Sequence, residues 1–351
     1  MGRKTILRYG SHTESQSLVL TGFVLLCSLV GAAVPSFAAE KGPDGGTPKR
    51  NGSNPLAESE RALMQGRADD AAADLRVALT TNPKDGHAHL LLCRVFYSEE
   101  LADAAVTECE AALEALGNDS KAQDWMGRAY GLKADRSGPL AGYKLASKVR
   151  IAFEAAVQLD PQNADAVDDL SEYYVGAPSI LGGGTDKAFE LATKIEAQLP
   201  QPAHRMRGLA AEKERDYAKA EAEFRAAVGV GGRADAWTDL GHFYARRDQK
   251  DQAIDALKHA ISVDRTHDES LVDVASILDT MHREPVLAKQ VLQDYLASLA
   301  KSDAAPAFKA HVMLGKTLAN NGDKAGAQTE FQSALGLAKD YAPAKKALQH
   351  L

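Results

Sequence analysis

From Pro55 onward the chain alternates Ala/Leu-rich amphipathic stretches with short polar turns, and no run of alternating β-branched residues interrupts them. The pattern predicts helix throughout. Helices of about 12 to 15 residues are marginal in isolation, so packing between them must hold the fold. That argument directs attention to a repeated helix–turn–helix unit, in which each copy buries the face its neighbour leaves open.

Such a unit is present. Trp237, Leu240, Gly241 and Tyr244 are followed by Ala253, Leu257 and Ala260. The spacing resembles the tetratricopeptide repeat, a helix pair of about 34 residues. The same register recurs eight times. Its small slot holds Ser59, Cys93, Gly127, Ser171, Gly208, Gly241, Ala275 and Gly315, spaced 33 to 44 residues apart. An alanine-type slot on the second helix runs from Ala71 through Val149 to Ala327. A large apolar slot four residues later holds Leu75, Cys109, Phe153, Ala192, Phe224, Leu257, Leu292 and Phe331.

Small residues let the two helices of a pair approach, and the larger ones are expected to fill the groove toward the next repeat. The resemblance implies an all-α, right-handed superhelical α-solenoid of about eight repeats over residues 55–351. A short capping helix from Ala342 closes it, behind Asp340 and Pro343. The first repeat departs from the pattern, with Glu58-Ser59 in place of Leu-Gly. Pro83, Pro161 and Pro200 are expected to end repeats. Extra residues near 134–143 and 176–185 predict two neighbouring loops, with Ile180-Leu181 tucked as an apolar plug against its own repeat.

The N-terminus reads differently. Arg3, Lys4 and Arg8 precede an apolar run from Leu18 to Val34, and Ser36-Phe37-Ala38-Ala39 follows. A basic head, an apolar middle and small residues before a polar start predict a secretory signal peptide over residues 1–39, cleaved after Ala38 or Ala39. The alternative is an uncleaved anchor, which would bring membrane contact. Leu26 before Cys27 does not suit lipid attachment at that cysteine. Residues 40–54 are rich in Gly, Pro and polar residues and read as a flexible linker. These features predict a periplasmic or secreted protein of bacterial type.

Composition narrows the functions. The formal charge is −7 and no long Lys/Arg block occurs, which speaks against a nucleic-acid partner. No HExxH, CxxC or GxSxG motif follows the signal segment, and Gly182-Gly183-Gly184 lacks the context of a phosphate loop. No enzyme, cofactor, metal or small-molecule substrate is expected. His87 and His89 point to different sides of their helix and read as surface residues. Cys93 and Cys109 fall on the two helices of one repeat. Two buried thiols is the preferred reading, and a disulfide the alternative.

Tetratricopeptide solenoids resemble curved troughs walled by the first helix of each repeat. On that register Arg94, Tyr97, Lys121, Asp124, Trp125 and Arg128 form a basic, aromatic stretch. Asp165, Asp168 and Glu172 follow as an acidic stretch, with Arg205 and His242 beyond. Some members of the family grip chaperone carboxylates with a Lys/Asn clamp, which the matching slots here lack. The resulting expectation is a non-enzymatic exported scaffold that binds a protein segment in this groove. A self-assembling structural protein of the envelope, or an accessory subunit of an envelope enzyme, is the alternative.

Overall fold

The computed structural model describes residues 54–351, and among them every regular element is helical. The proposed signal peptide and nearly all of the linker lie outside the described residues. Within the described residues, seventeen α-helices form eight antiparallel pairs and a cap. The first four pairs are α1 (Pro55–Met64) with α2 (Ala68–Thr81), α3 (Gly86–Ser98) with α4 (Ala102–Leu116), α5 (Ser120–Asp135) with α6 (Pro139–Leu159), and α7 (Ala164–Gly176) with α8 (Thr185–Ile195). The next four are α9 (Pro200–Lys213) with α10 (Tyr217–Gly229), α11 (Ala234–Arg246) with α12 (Lys250–Val263), α13 (Ser270–Thr280) with α14 (Pro285–Ala297), and α15 (Ala307–Asn320) with α16 (Lys324–Leu337). The cap is α17 (Ala342–Gln349). No described helix is long and apolar enough to cross a membrane.

Local chemistry sets the helix starts. Asp85 accepts from the backbone N–H groups of His87 and Ala88 to begin α3, and Asp119 and Asn163 do the same for Ala122 and Ala166. These side chains satisfy donors the helix itself leaves unpaired. Pro200 sits at the first position of α9, where its missing N–H costs nothing, so it opens a repeat rather than ending one.

The small and large slots meet inside each repeat. A Cβ on Gly127 would lie 2.4 Å from the Phe153 ring, one on Gly241 2.8 Å from Leu257, and one on Gly315 2.5 Å from Phe331. Phe153, Phe224 and Phe331 are buried. The large residue therefore packs over the first helix of its own repeat, and Phe224 also reaches toward the next repeat, its ring 5.3 Å from that of Phe243.

Cys93 and Cys109 occupy the same facing slots in the second repeat, with Cα atoms 5.3 Å apart, and they are bonded. This corrects the preference for free thiols: the small and large slots bring side chains of the two helices into direct contact. A bridge closing so short a loop stabilises by about 3 kcal/mol. Alkylation without reductant should therefore label neither cysteine, and a Cys93→Gly/Cys109→Phe variant should regain part of the loss seen in Cys93→Ser. Two alkylated thiols before reduction would contradict the bridge.

Cross-helix polar staples accompany the core. His89 bonds Glu108 at 2.6 Å, and His204–Glu223 and His311–Glu330 repeat the pairing at 2.7 and 2.6 Å. His89 is thus tied into its repeat rather than being a plain surface residue.

Both insertions differ from expectation. The extra residues of the third repeat lengthen α6 to 21 residues, leaving only a short turn after Asp135. Pro139 at the helix start and the Ala/Leu-rich stretch behind it favour helix over loop. In the fourth repeat, Ser179–Leu181 forms a single 3-10 turn, and the Tyr173 hydroxyl lies within hydrogen-bonding distance of the Leu181 and Ala146 carbonyls, at 2.8 and 3.0 Å. The second insertion thus packs on α6 and not on a neighbouring loop. Leu181 packs against the core, but Ile180 is 77% exposed and is no plug.

The ends of the solenoid meet. Arg94 Nε donates to Asp303 Oδ2 at 2.9 Å, and the Lys339 backbone N–H donates to Asp69 Oδ2 at 2.8 Å. Tyr341 bonds Glu100 at 3.2 Å, and Lys309 lies 3.6 Å from the same carboxylate. Gly66, at φ +74°, brings its α-carbon against the backbone of Ala307. The last repeat therefore closes onto the first two.

Glu99 is buried at this seam, and burial, then Asp69 and Asp340, push its carboxyl up to about 7 from an ordinary 4.5. A carboxyl raised on folding contributes stability that is complete below about 4.5 and is lost as pH rises through about 7. Protection factors of seam amides in α2 and α16, which remove the intrinsic base catalysis of exchange, should be lower at pH 8 than at pH 6, and Glu99→Gln should remove that difference. An unchanged pH dependence in the variant would place its origin elsewhere.

Candidate functional site

The first helices of successive repeats, α7, α9, α11, α13 and α15, face a cavity of about 640 Å³. Three register positions build its wall: six and three residues before the small slot, and one after it. In α7 they supply Asp165, Asp168 and Glu172; Glu269 just before α13, with Val272 and Ser276 within it, supplies the same positions. Positions one helical turn apart share a face, so α9 and α11 each supply two of these slots, Arg205 with Leu209 and Thr238 with His242, and α15 supplies Lys309.

Arg205 on α9 is the hub of the wall. Its guanidinium lies 2.6 Å from Glu172, 3.2 Å from Asp239 and 3.7 Å from Asp168. Burial alone would lower its pKa, but Asp239, Glu172 and Asp168 together hold it above the ordinary arginine value. Burial raises the Glu172 carboxyl; Arg205 opposes that shift, while Asp168 and Asp239 add to it. Arg246 on α11 forms a two-pronged pair with Glu212, with Nε to Oε1 at 2.8 Å. Burial lowers the pKa of Lys309 on α15, against the opposing pull of Glu100.

Of the residues placed on the groove by sequence, the cavity gathers Arg128, Asp165, Asp168, Glu172, Arg205 and His242. The basic, aromatic stretch before them is used differently. Arg128 is fully buried, with Nε bonded to Asp169 and Nη2 2.9 Å from Asp124, itself buried. Trp125 lies between two guanidinium groups, Arg128 at 4.6 Å and Arg94 at 5.5 Å, with Tyr97 edge-on at 5.4 Å.

These contacts correct the register's placement of Asp124, Trp125, Arg128, Arg94 and Tyr97 on an open wall. The burial of Arg128 is offset by carboxylates and an indole face, and the half-buried Arg94 is held by Asp303, so these side chains are engaged within the fold. Lys121 is exposed but lies off the cavity.

The wall also contains residues not picked out from sequence: Leu209, Arg246, Val272, Asp273, Lys309 and Met313. Leu209, Val272 and Lys309 sit in the three register slots and were readable by carrying the register through the fifth, seventh and eighth repeats. Among the described residues, no group of three or more His, Cys, Asp or Glu side chains is arranged to hold a metal ion.

A helical-repeat wall around a cavity defines the class of the molecule. Comparison with known sequences agrees: tetratricopeptide-repeat models match residues 62–129, 234–267 and 308–341, so the chain carries tetratricopeptide repeats. The structure is similar to that of Tom70 from yeast, at 16% identity over 88% of this chain and 66% of that one, with a TM-score of 0.50. A thermophilic tetratricopeptide protein of Thermus thermophilus is similar at 18% identity over 64% of this chain and 97% of that one, with a TM-score of 0.42. At 16% identity the likeness to Tom70 is one of fold. No curated protein matches the sequence significantly. Tetratricopeptide folds in general mediate protein–protein interaction and are typically non-catalytic.

Proposed function

We propose that this chain is an exported, non-enzymatic scaffold that binds a segment of a partner protein in the cavity walled by α7, α9, α11, α13 and α15. The observation that carries the reading is the cavity itself. Its volume of about 640 Å³ falls in the range of about 300–1,000 Å³ typical of ligand pockets, and polar side chains line it beside an apolar shelf. A space of that size suits a few residues of extended chain rather than a folded domain. The Cys93–Cys109 bridge supports export, since structural disulfides persist mainly in oxidising compartments. Residues 1–39 would supply the route, as a cleaved signal peptide leading to the periplasm or the exterior.

Crosslinking of the tagged chain in cells, followed by mass spectrometry of the joined sites, tests the reading. One protein joined repeatedly to the cavity-facing helices is the expected result. Crosslinks only between copies of this chain would favour self-assembly instead.

A further inference from the structure

The chemistry of the walls says more about what enters. Among the described residues the cavity presents eight carboxylates against five lysine and arginine side chains. The individual acids are engaged within the fold, but their cations do not balance them. Arg205 alone is shared by three carboxylates, Asp168, Glu172 and Asp239. Asp165, Glu269 and Asp273 extend the excess along α7 and α13. Beside the charged wall, Leu209, Val272 and Met313 present apolar surface to the same space.

We infer that the cavity takes an extended peptide segment carrying lysine or arginine side chains interleaved with at least one apolar residue. The inference rests on the scaffold reading above and specifies the chemistry of its partner. Three observations converge. The volume limits the occupant to a short stretch. The charge excess sits in a recess with low-dielectric walls, where it attracts cations more strongly than an exposed acidic face would. The apolar shelf gives an uncharged side chain a place to leave water. A cation entering among Asp168, Glu172 and Asp239 would also offset the mutual repulsion that adds to the raised Glu172 pKa. An acidic segment would meet repulsion at the same places.

The test uses the purified full chain and three fluorescein-labelled nonapeptides. One is Lys-Leu-Gly three times over, and the other two carry glutamine or glutamate in place of lysine. Binding is read by anisotropy at low and high salt. The lysine peptide should bind at least tenfold more tightly than the glutamine peptide and weaken as salt rises. An Asp165→Asn/Asp273→Asn variant with unchanged helicity should lose at least tenfold in affinity for it. A control variant at exposed carboxylates away from the cavity, Asp103→Asn/Asp251→Asn, should bind as the parent does.

Equal loss in both variants would mean diffuse surface attraction and would overturn the inference. Preference for the glutamine or glutamate peptide, or no binding of any peptide, would overturn it too. If cell crosslinks still mapped one partner to the cavity in those cases, the scaffold reading would stand without its cationic partner. If the crosslinks joined only copies of the chain, both would fall.

Discussion

Arg128→Ala should cost about 3–5 kcal/mol of folding stability at pH 8, measured by urea denaturation. The side chain has no exposed surface, and it holds Asp124 and Asp169 together at the α5–α7 contact. Removing it leaves two buried carboxylates without their guanidinium partner. Burial already raises the Asp169 carboxyl; Arg128 opposes that shift and Asp124 adds to it. Without the guanidinium, Asp169 can stay buried only by taking up a proton. A carboxyl raised on folding is stabilising below its unfolded pKa and loses that contribution as pH rises, so the deficit should shrink between pH 8 and pH 5. Replacing all three residues together, Asp124→Leu, Arg128→Met and Asp169→Leu, should recover most of the loss, because apolar groups of similar volume remove the stranded charge. A loss below about 1 kcal/mol for Arg128→Ala would mean that the side chain is solvated and that the corrected placement of Arg128 is wrong.

Gly66→Val should open the seam. Two costs combine there. Gly66 has φ +74°, where a β-branched residue is strained, and its new Cβ would stand 2.4 Å from the Ala307 backbone nitrogen. The neighbour is main chain and cannot rotate away, so overpacking of about 1–3 kcal/mol adds to the backbone strain. Helicity should persist, because each repeat keeps its own core. Amides of α1, α2, α15 and α16 should exchange faster, while those of α9 to α12 change little. Gly322→Val provides the control, with a φ of +86° but nothing within 4 Å of the added Cβ. It should show the strain without the loss of protection at the seam. Equal exchange in both variants would mean that the two ends are not packed together.

The eight helix pairs were legible because their determinants are local. A small residue on one helix, a large one on its partner and polar turns at a regular interval leave little choice of fold. The cysteine bridge was legible too, once the two slots are seen to face each other: Cys93 and Cys109 stand where Gly127 and Phe153 stand one repeat later. What sequence could not show is how far the chain curves. Arg94 and Asp303 are 209 positions apart, and only the accumulated rotation of successive repeats brings them into contact. That closure, together with the buried Asp124–Arg128–Asp169 cluster, takes up the arginines and aromatics that register alone placed on an open groove. The acidic half of the wall needed no such closure, since one helix, α7, carries Asp165, Asp168 and Glu172 on a single face.

The central claim is that the solenoid's ends meet, because the cavity's α15 wall depends on that contact. Carbodiimide coupling, which joins only carboxylates and amines already in contact, tests it on the full chain. Asp69 lies 4.0 Å from the Lys339 amine and Glu100 lies 3.6 Å from that of Lys309. Mass spectrometry of the monomer should find Asp69–Lys339 and Glu100–Lys309 isopeptide links beside the local Glu190–Lys194 pair, 2.7 Å apart on α8. Recovery of the Glu190–Lys194 link without either seam link would show that the ends stand apart in solution and would contradict the account.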